Sequence, residues 1–186
     1  MPILPREPDI YPDDLLQNAS FLEDVNRDWW CMYTRSRREK ELMRRMKAMS
    51  IAFYSPVISK RSRSPQGRIR ESFVPLFPNY VFVYGTDAER YQAMTTNNVS
   101  KYSVVNEREQ LVEDLQRIQI AINVGEPLTP ESRLEAGNRV RVRSGPFRGY
   151  EGLVIRREGK TRLLLTVRYL EQGVSMAIDE GLLEAL

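Results

Sequence analysis

The chain has 186 residues, 41% of them hydrophobic, and its 28 basic and 25 acidic side chains leave a net charge of only +3, the make-up of one medium or two small globular domains. With no histidine and a single cysteine, Cys31, it cannot build a Ser-His-Asp triad, a Cys-His dyad, an internal disulfide or a zinc site of the usual nitrogen and sulfur ligands. No apolar run approaches the roughly 20 residues that span a bilayer, and the start, Met1-Pro2-Ile3-Leu4-Pro5-Arg6-Glu7-Pro8, lacks the basic-then-apolar order of a secretory signal, so a cytoplasmic protein with no membrane contact is expected.

Residues 1–27 carry Pro2, Pro5, Pro8 and Pro12 with several acids and few large apolar groups, a composition that predicts a mobile acidic tail. Its last part, 15–22, has the apolar content for one helical turn. From Trp29 the pattern changes. Trp29-Trp30-Cys31-Met32-Tyr33-Thr34 is short, aromatic and apolar, as a buried strand is. A helix follows over 37–49, where Leu42, Met46 and Met49 recur at spacings of four and three. Residues 51–58 read as a strand ending near Pro56, and the polar stretch Arg61-Ser62-Arg63-Ser64-Pro65-Gln66-Gly67-Arg68 as a loop or hairpin tip.

Leu76-Phe77-Pro78-Asn79-Tyr80-Val81-Phe82-Val83-Tyr84 is the strongest strand signal, with Pro78 marking its start or an irregular edge. A short helix over 87–94, a strand over 102–105 and a helix over 107–123 follow, the last with Leu111, Leu115, Ile118 and Ile122 on one face. The order gives an α+β protein whose N-terminal domain, 28–123, is an α/β sandwich on a mainly antiparallel sheet. Prolines 127 and 130 with Gly125 mark a linker over 124–136. Residues 137–186 alternate apolar and polar in four or five short strands, which predicts a small closed β-barrel. Its many glycines interrupt any long helix, at about 1 kcal/mol each.

Two motifs are set aside. Gly159-Lys160-Thr161 has six residues between Gly152 and Gly159 where a phosphate-binding loop needs four. Glu107 and Glu109 sit at a helix start, where carboxylates complement the dipole.

Arg139-Val140-Arg141-Val142-Arg143, running into Ser144-Gly145-Pro146-Phe147-Arg148-Gly149-Tyr150-Glu151-Gly152, resembles a KOW motif, which implies an SH3-like barrel. Together with Leu76-Phe77-Pro78-Asn79-Tyr80 behind an aromatic strand and an arginine-rich helix, it makes residues 29–186 similar to the NusG family of transcription elongation and antitermination factors. Asn79 stands where housekeeping members usually have glycine, and in this the chain looks closer to specialised RfaH-like paralogues.

The resemblance implies a non-enzymatic, monomeric factor without cofactor or metal. It implies docking of Tyr33, Phe77, Tyr80 and Phe82 on the clamp helices of the largest RNA polymerase subunit. The same strand must also fill the domain's own core, so each aromatic has two readings. Arg35, Arg37, Arg38, Lys40, Arg44 and Arg45 are placed to meet the non-template DNA strand, or to form a solvated helix face with Glu39 and Glu41. Phe147, Tyr150, Tyr169 and Leu170 are the KOW positions for a partner such as the ribosomal protein NusE or the terminator Rho; leucine at 170 departs from the usual phenylalanine. The alternative class is a ribosome-associated RNA-binding KOW protein.

Overall fold

The aromatic runs at 29–34 and 80–85 lie side by side, paired from Trp29 against Tyr84 to Tyr33 against Tyr80, and the first part of the chain is built on that ladder. The computed structural model describes residues 6–63, 65, 67–131 and 137–186. They fall into two units, 1–108 and 109–186.

In chain order the first unit comprises β1 (Ile10–Tyr11), α1 (Ala19–Leu22), β2 (Asp28–Thr34), α2 (Glu39–Ala48), β3 (Ala52–Tyr54), β4 (Val57–Arg63), β5 (Ile69–Pro75), β6 (Tyr80–Gly85), α3 (Asp87–Thr95) and β7 (Val99–Val104). Five of these strands form one antiparallel sheet in the order β1-β3-β6-β2-β7. Strand side chains alternate between faces. One face carries Met32, Val81, Val83 and Phe53, packed with Leu42, Met43 and Met46 of α2 and Ala93 of α3. Met49, expected on the apolar face of α2, is instead its C-cap and 37% exposed. Thr86 and Glu89 form a reciprocal capping box that starts α3.

The opposite face carries Trp29, Cys31, Tyr54, Phe82 and Tyr84, all buried. Phe21 of α1 meets the Tyr84 ring edge-on at 5.3 Å, and the Tyr84 hydroxyl donates to the Phe21 carbonyl at 2.9 Å. Leu15 and Leu16 are 0% and 1% exposed. The stretch expected as a mobile tail therefore packs on the sheet over 10–22, with β1 extending it beside β3. Composition misled because Ile10, Tyr11, Leu15, Leu16 and Phe21, though few, are enough to dock a short segment on a sheet already formed. Residues 1–5 of that stretch lie outside the described residues. Burial pushes the Cys31 thiol up to about 12, which leaves it a packing group without thiolate chemistry.

The expected strand at 51–58 is two strands. Pro56 separates β3 from β4, which pairs only with β5 among the described residues. The strand expected from Leu76 begins at Tyr80; residues 76–79 are a turn. Asn79 has φ 70°, a left-handed conformation no strand continues through and that asparagine or glycine tolerates best.

The second unit consists of α4 (Arg108–Val124), which starts at the boundary, and then β8 (Thr129–Glu131), β9 (Asn138–Val142), β10 (Glu151–Arg157), β11 (Lys160–Val167), β12 (Gln172–Ala177) and β13 (Leu183–Ala185). The strands form an antiparallel sheet in the order β13-β9-β10-β11-β12-β8, and no ladder joins β13 to β8 among the described residues. Val140, Val142, Ile155, Leu163, Leu165 and Val174 are among its buried core side chains. Glu158 and Gly159, at φ 52° and 74°, make the two-residue turn between β10 and β11. The Gly159-Lys160-Thr161 motif is thus a hairpin.

Helix α4, expected as the last element of the first domain, falls in the second unit. The Asp114 carboxylate, 2% exposed, accepts from the backbone N–H and the guanidinium of Arg168, each at 2.9 Å, and from Arg117 at 3.4 Å. Thr129–Glu131, expected within the linker, pairs with β12, and Glu131 accepts from the Ser175 hydroxyl at 2.7 Å. Residues 132–136 of that linker lie outside the described residues.

Candidate functional site

The end of β2 and the start of β6 meet at Tyr33 and Tyr80, directly opposite one another in the ladder. Their rings touch edge to face at 5.3 Å and 78°, and both are only half-buried. The Lys101 ammonium of β7 lies 4.9 Å from the Tyr33 ring centre. This corner combines broad aromatic area with a cation. Phe77 and Phe82 do not join it: they are 3% and 1% exposed and belong to the core. A phenyl ring has no polar end to carry to the surface, whereas a tyrosine buries its ring and leaves its hydroxyl wet.

Glu39, in the first turn of α2, is buried, and its Oε1 accepts the Asn79 N–H at 2.8 Å. The Asn79 carbonyl in turn accepts from Thr34 N–H at 2.8 Å. The turn that delivers Tyr80 is therefore held from both sides, by a helix carboxylate and by the last residue of β2. In the sequence Glu39 reads only as a counter-charge among arginines. The one available signal was its place in the first helical turn, where a carboxylate has free backbone donors near it. Asn79 meets the same backbone demand that glycine would.

The six basic candidates split. Arg35, Arg37 and Arg38 precede α2, in an exposed turn running directly on from β2, with Arg37 at φ 60°. Lys40 is half-buried within α2. Arg44 is held by Glu7 at 2.5 Å and Glu41 at 2.6 Å, and Arg45 by Glu41 at 3.1 Å. Hydrogen bonds from Arg44 and then Arg45 hold the Glu41 carboxyl below its ordinary range. Arg44 and Arg45 are thus committed to ion pairs. Among the six, Arg35, Arg37 and Arg38 are the exposed ones outside those ion pairs, and they follow Tyr33 within five residues.

Arg90 was not singled out in the sequence. It lies 4.4 Å from the Tyr102 ring centre and 5.3 Å from that of Trp30, with Asp87 bonded to it at 2.8 Å. That stack fixes Trp30 on the α3 side of the sheet, away from Tyr33.

In the second unit Phe147 is 6% exposed and packs in the core. Tyr150 is half-buried under the Arg117 guanidinium, 4.6 Å from the ring centre, and burial raises its hydroxyl above the ordinary range. Tyr169 is 38% exposed and Leu170 half-buried, both in the single helical turn at Arg168–Leu170, which ends at Glu171 with φ 52°. Of the four KOW candidates, this turn presents Tyr169 and part of Leu170.

The family model described as "Transcription termination factor nusG" matches residues 27–143, more than half of the chain. The chain belongs to the NusG family. A KOW motif matches residues 136–168 of this NusG-family protein. No curated protein matches its sequence. Among solved structures it is similar to "MjSpt4:Spt5 complex conformation B", at 15% identity over 85% of this chain and 96% of that one, with a TM-score of 0.26, too low to carry an argument. The NusG family consists of non-enzymatic transcription factors. No helix among the described residues is long and apolar enough to cross a membrane.

Proposed function

We propose that this NusG-family protein binds RNA polymerase through the Tyr33–Tyr80 corner, seating it on the coiled-coil clamp helices of the largest subunit, and so sustains elongation through pauses and terminators. The observation that carries the reading is the contact of two half-exposed tyrosines at 5.3 Å on a rigid sheet end, beside the cationic turn at 35–38. Tyrosines give large contact area at low rotamer cost, and one face of a helix fits against such a ridge. Arg35, Arg37 and Arg38 then lie beside the contact and meet the exposed non-template strand, where they gain by releasing counterions. Arg44 and Arg45 have no part in this, being ion-paired. Tyr169 and Leu170 form the partner surface of the second unit, for a protein of the NusE or Rho kind.

The experiment is co-elution of the full chain with core RNA polymerase, repeated with an excised clamp-helix coiled coil as competitor. Micromolar or tighter binding that the coiled coil displaces is expected. Binding that the coiled coil leaves intact contradicts the site, and co-purification with ribosomal subunits alone favours the ribosome-associated reading.

A further inference from the structure

The two edges of the five-stranded sheet differ. Along β3 the chain lays the short strand β1, with Ile10 against Tyr54 and Tyr11 against Phe53. At the other edge β7 pairs with β2 alone among the described residues, and every residue of it after Val99 is exposed. An open edge is a row of unpaired N–H and C=O groups, a template for another strand.

Which groups point outward follows from the ladder. Val105 N–H donates to the Trp29 carbonyl at 2.8 Å, and the same register sets Ser103 against Cys31 and Lys101 against Tyr33. Hydrogen-bonded pairs of this kind alternate along an antiparallel ladder with pairs whose N–H and C=O groups face the other way. Tyr102 and Val104 therefore turn their backbone groups outward. Below them the edge is irregular: Tyr33 pairs with Lys101 but Thr34 with Val99, which leaves Ser100 as the extra residue of a bulge, its hydroxyl donating to the Tyr33 carbonyl at 2.9 Å. The side chains at the open positions are apolar. Tyr102 and Val104 are 43% and 41% exposed, opposite Met32 and Trp30 on the face that α3 covers. Trp30 meets the Tyr102 ring edge-on at 5.8 Å and Arg90 lies 4.4 Å from its centre, so this ring is already ordered and pairing costs it little rotamer entropy.

A second copy of the same strand fits this edge. Antiparallel pairing of two β7 strands about a two-fold axis must set outward groups against outward groups, which leaves few registers. Centring on Lys101 opposes two ammonium groups. Centring on Tyr102 sets Val104 against the bulged Ser100, and centring on Val104 carries Tyr102 past the end of the strand to Asn106. Centring on Ser103 has none of these faults. Tyr102 then lies opposite the copy's Val104, and Val104 opposite its Tyr102, each pair exchanging both backbone hydrogen bonds, while Ser103 meets Ser103 and Lys101 meets Val105 instead of a like charge. Aromatic and β-branched side chains paired across strands are favourable, and like charges directly opposite are not.

We infer that the protein self-associates by antiparallel pairing of β7 with β7 about Ser103, joining two five-stranded sheets into one, where the family resemblance implies a monomer. The inference does not rest on polymerase binding. Its test is cysteine crosslinking of the full chain. In this register two Ser103 Cα atoms, a non-hydrogen-bonded pair, lie about 4.5 Å apart and within disulfide reach, whereas two Ser100 Cα atoms lie roughly 20 Å apart and far outside it. Cys31 is buried with its thiol pushed up to about 12 and does not compete. Oxidation of Ser103→Cys at about 0.1 mM chain, a concentration suited to a weak interface, is expected to give mostly covalent dimer, and Ser100→Cys no more than the unaltered protein. Sedimentation equilibrium supplies the second reading. The unaltered protein is expected to show a concentration-dependent monomer and dimer, and Ser103→Lys, which sets two ammonium groups opposite one another, to dimerise at least about fivefold more weakly and to recover on added salt. Position 103 is exposed, so circular dichroism is expected to be unchanged. Equal crosslinking of the two cysteine variants overturns the proposal. So does an unaltered protein that sediments as a monomer at that concentration, including the case in which the edge takes a strand from a different protein.

Discussion

Replacing Tyr33 and Tyr80 together by alanine lowers the affinity for core RNA polymerase by about 30- to 1,000-fold, while the protein stays folded. Central aromatic residues of an interface cost about 2 kcal/mol or more each when truncated. The lower bound applies because the two rings touch and their losses overlap. The half-burial of both rings limits the structural damage, which includes their edge-to-face contact and the Lys101 contact of Tyr33. The comparison that gives the result its meaning is Phe82→Ala. Phe82 is 1% exposed in the same strand, and emptying its place costs about 3–5 kcal/mol of stability. Isothermal titration with denaturant unfolding on the same samples separates the two. Undiminished affinity of the double tyrosine variant removes the corner from the mechanism.

Glu39→Ala is expected to cost about 1.5–3 kcal/mol, the scale of a hydrogen bond to a charged group whose donor is left without an acceptor. The donor is the Asn79 N–H, and the chain at that point is in the left-handed region, so strand pairing offers that N–H no replacement acceptor. Glu39→Gln keeps a carbonyl oxygen in the same place and recovers most of the loss. Urea unfolding reads the stability. Amide exchange at Asn79 reads the cause, being faster in the alanine variant and near normal in the glutamine one. Because Tyr80 follows the turn directly, the alanine variant also binds polymerase more weakly. A variant with unchanged exchange at Asn79 shows that the carboxylate does not hold the turn.

The strands at 29–34 and 80–85 were legible because both faces of the sheet are covered, which leaves continuous apolar and aromatic runs with little to confuse them. The face of α2 was legible at Leu42 and Met46, and failed at Met49 because the helix ends there. The turn at 76–79 was legible only in Pro78, which marked a strand start or an irregular edge: Leu76 and Phe77 favour a strand, and the positive φ that precedes β6 depends on a single asparagine. Leucine spacing in α4 shows that the helix has an apolar face, but spacing cannot name the element that faces it. The decisive contact there is polar, from Asp114 to Arg168, 54 residues away. The candidate site was half legible. Aromatic type and position identified the corner, yet whether a ring ends at the surface or in the core is settled by the strand start and the turn geometry. Glu39 gave no sequence signal beyond its place in the first helical turn, because a buried acceptor and a solvated counter-charge look alike in a run of arginines.

If the Tyr33–Tyr80 corner grips the helical clamp of the transcribing enzyme, residue 80 lies against that coiled coil in the complex. A photocrosslinking side chain placed at position 80 of the full chain, irradiated with core polymerase and mapped by mass spectrometry, tests it directly. Crosslinks within the coiled coil of the largest subunit are expected. Crosslinks confined to another subunit, or none at saturating polymerase, contradict it.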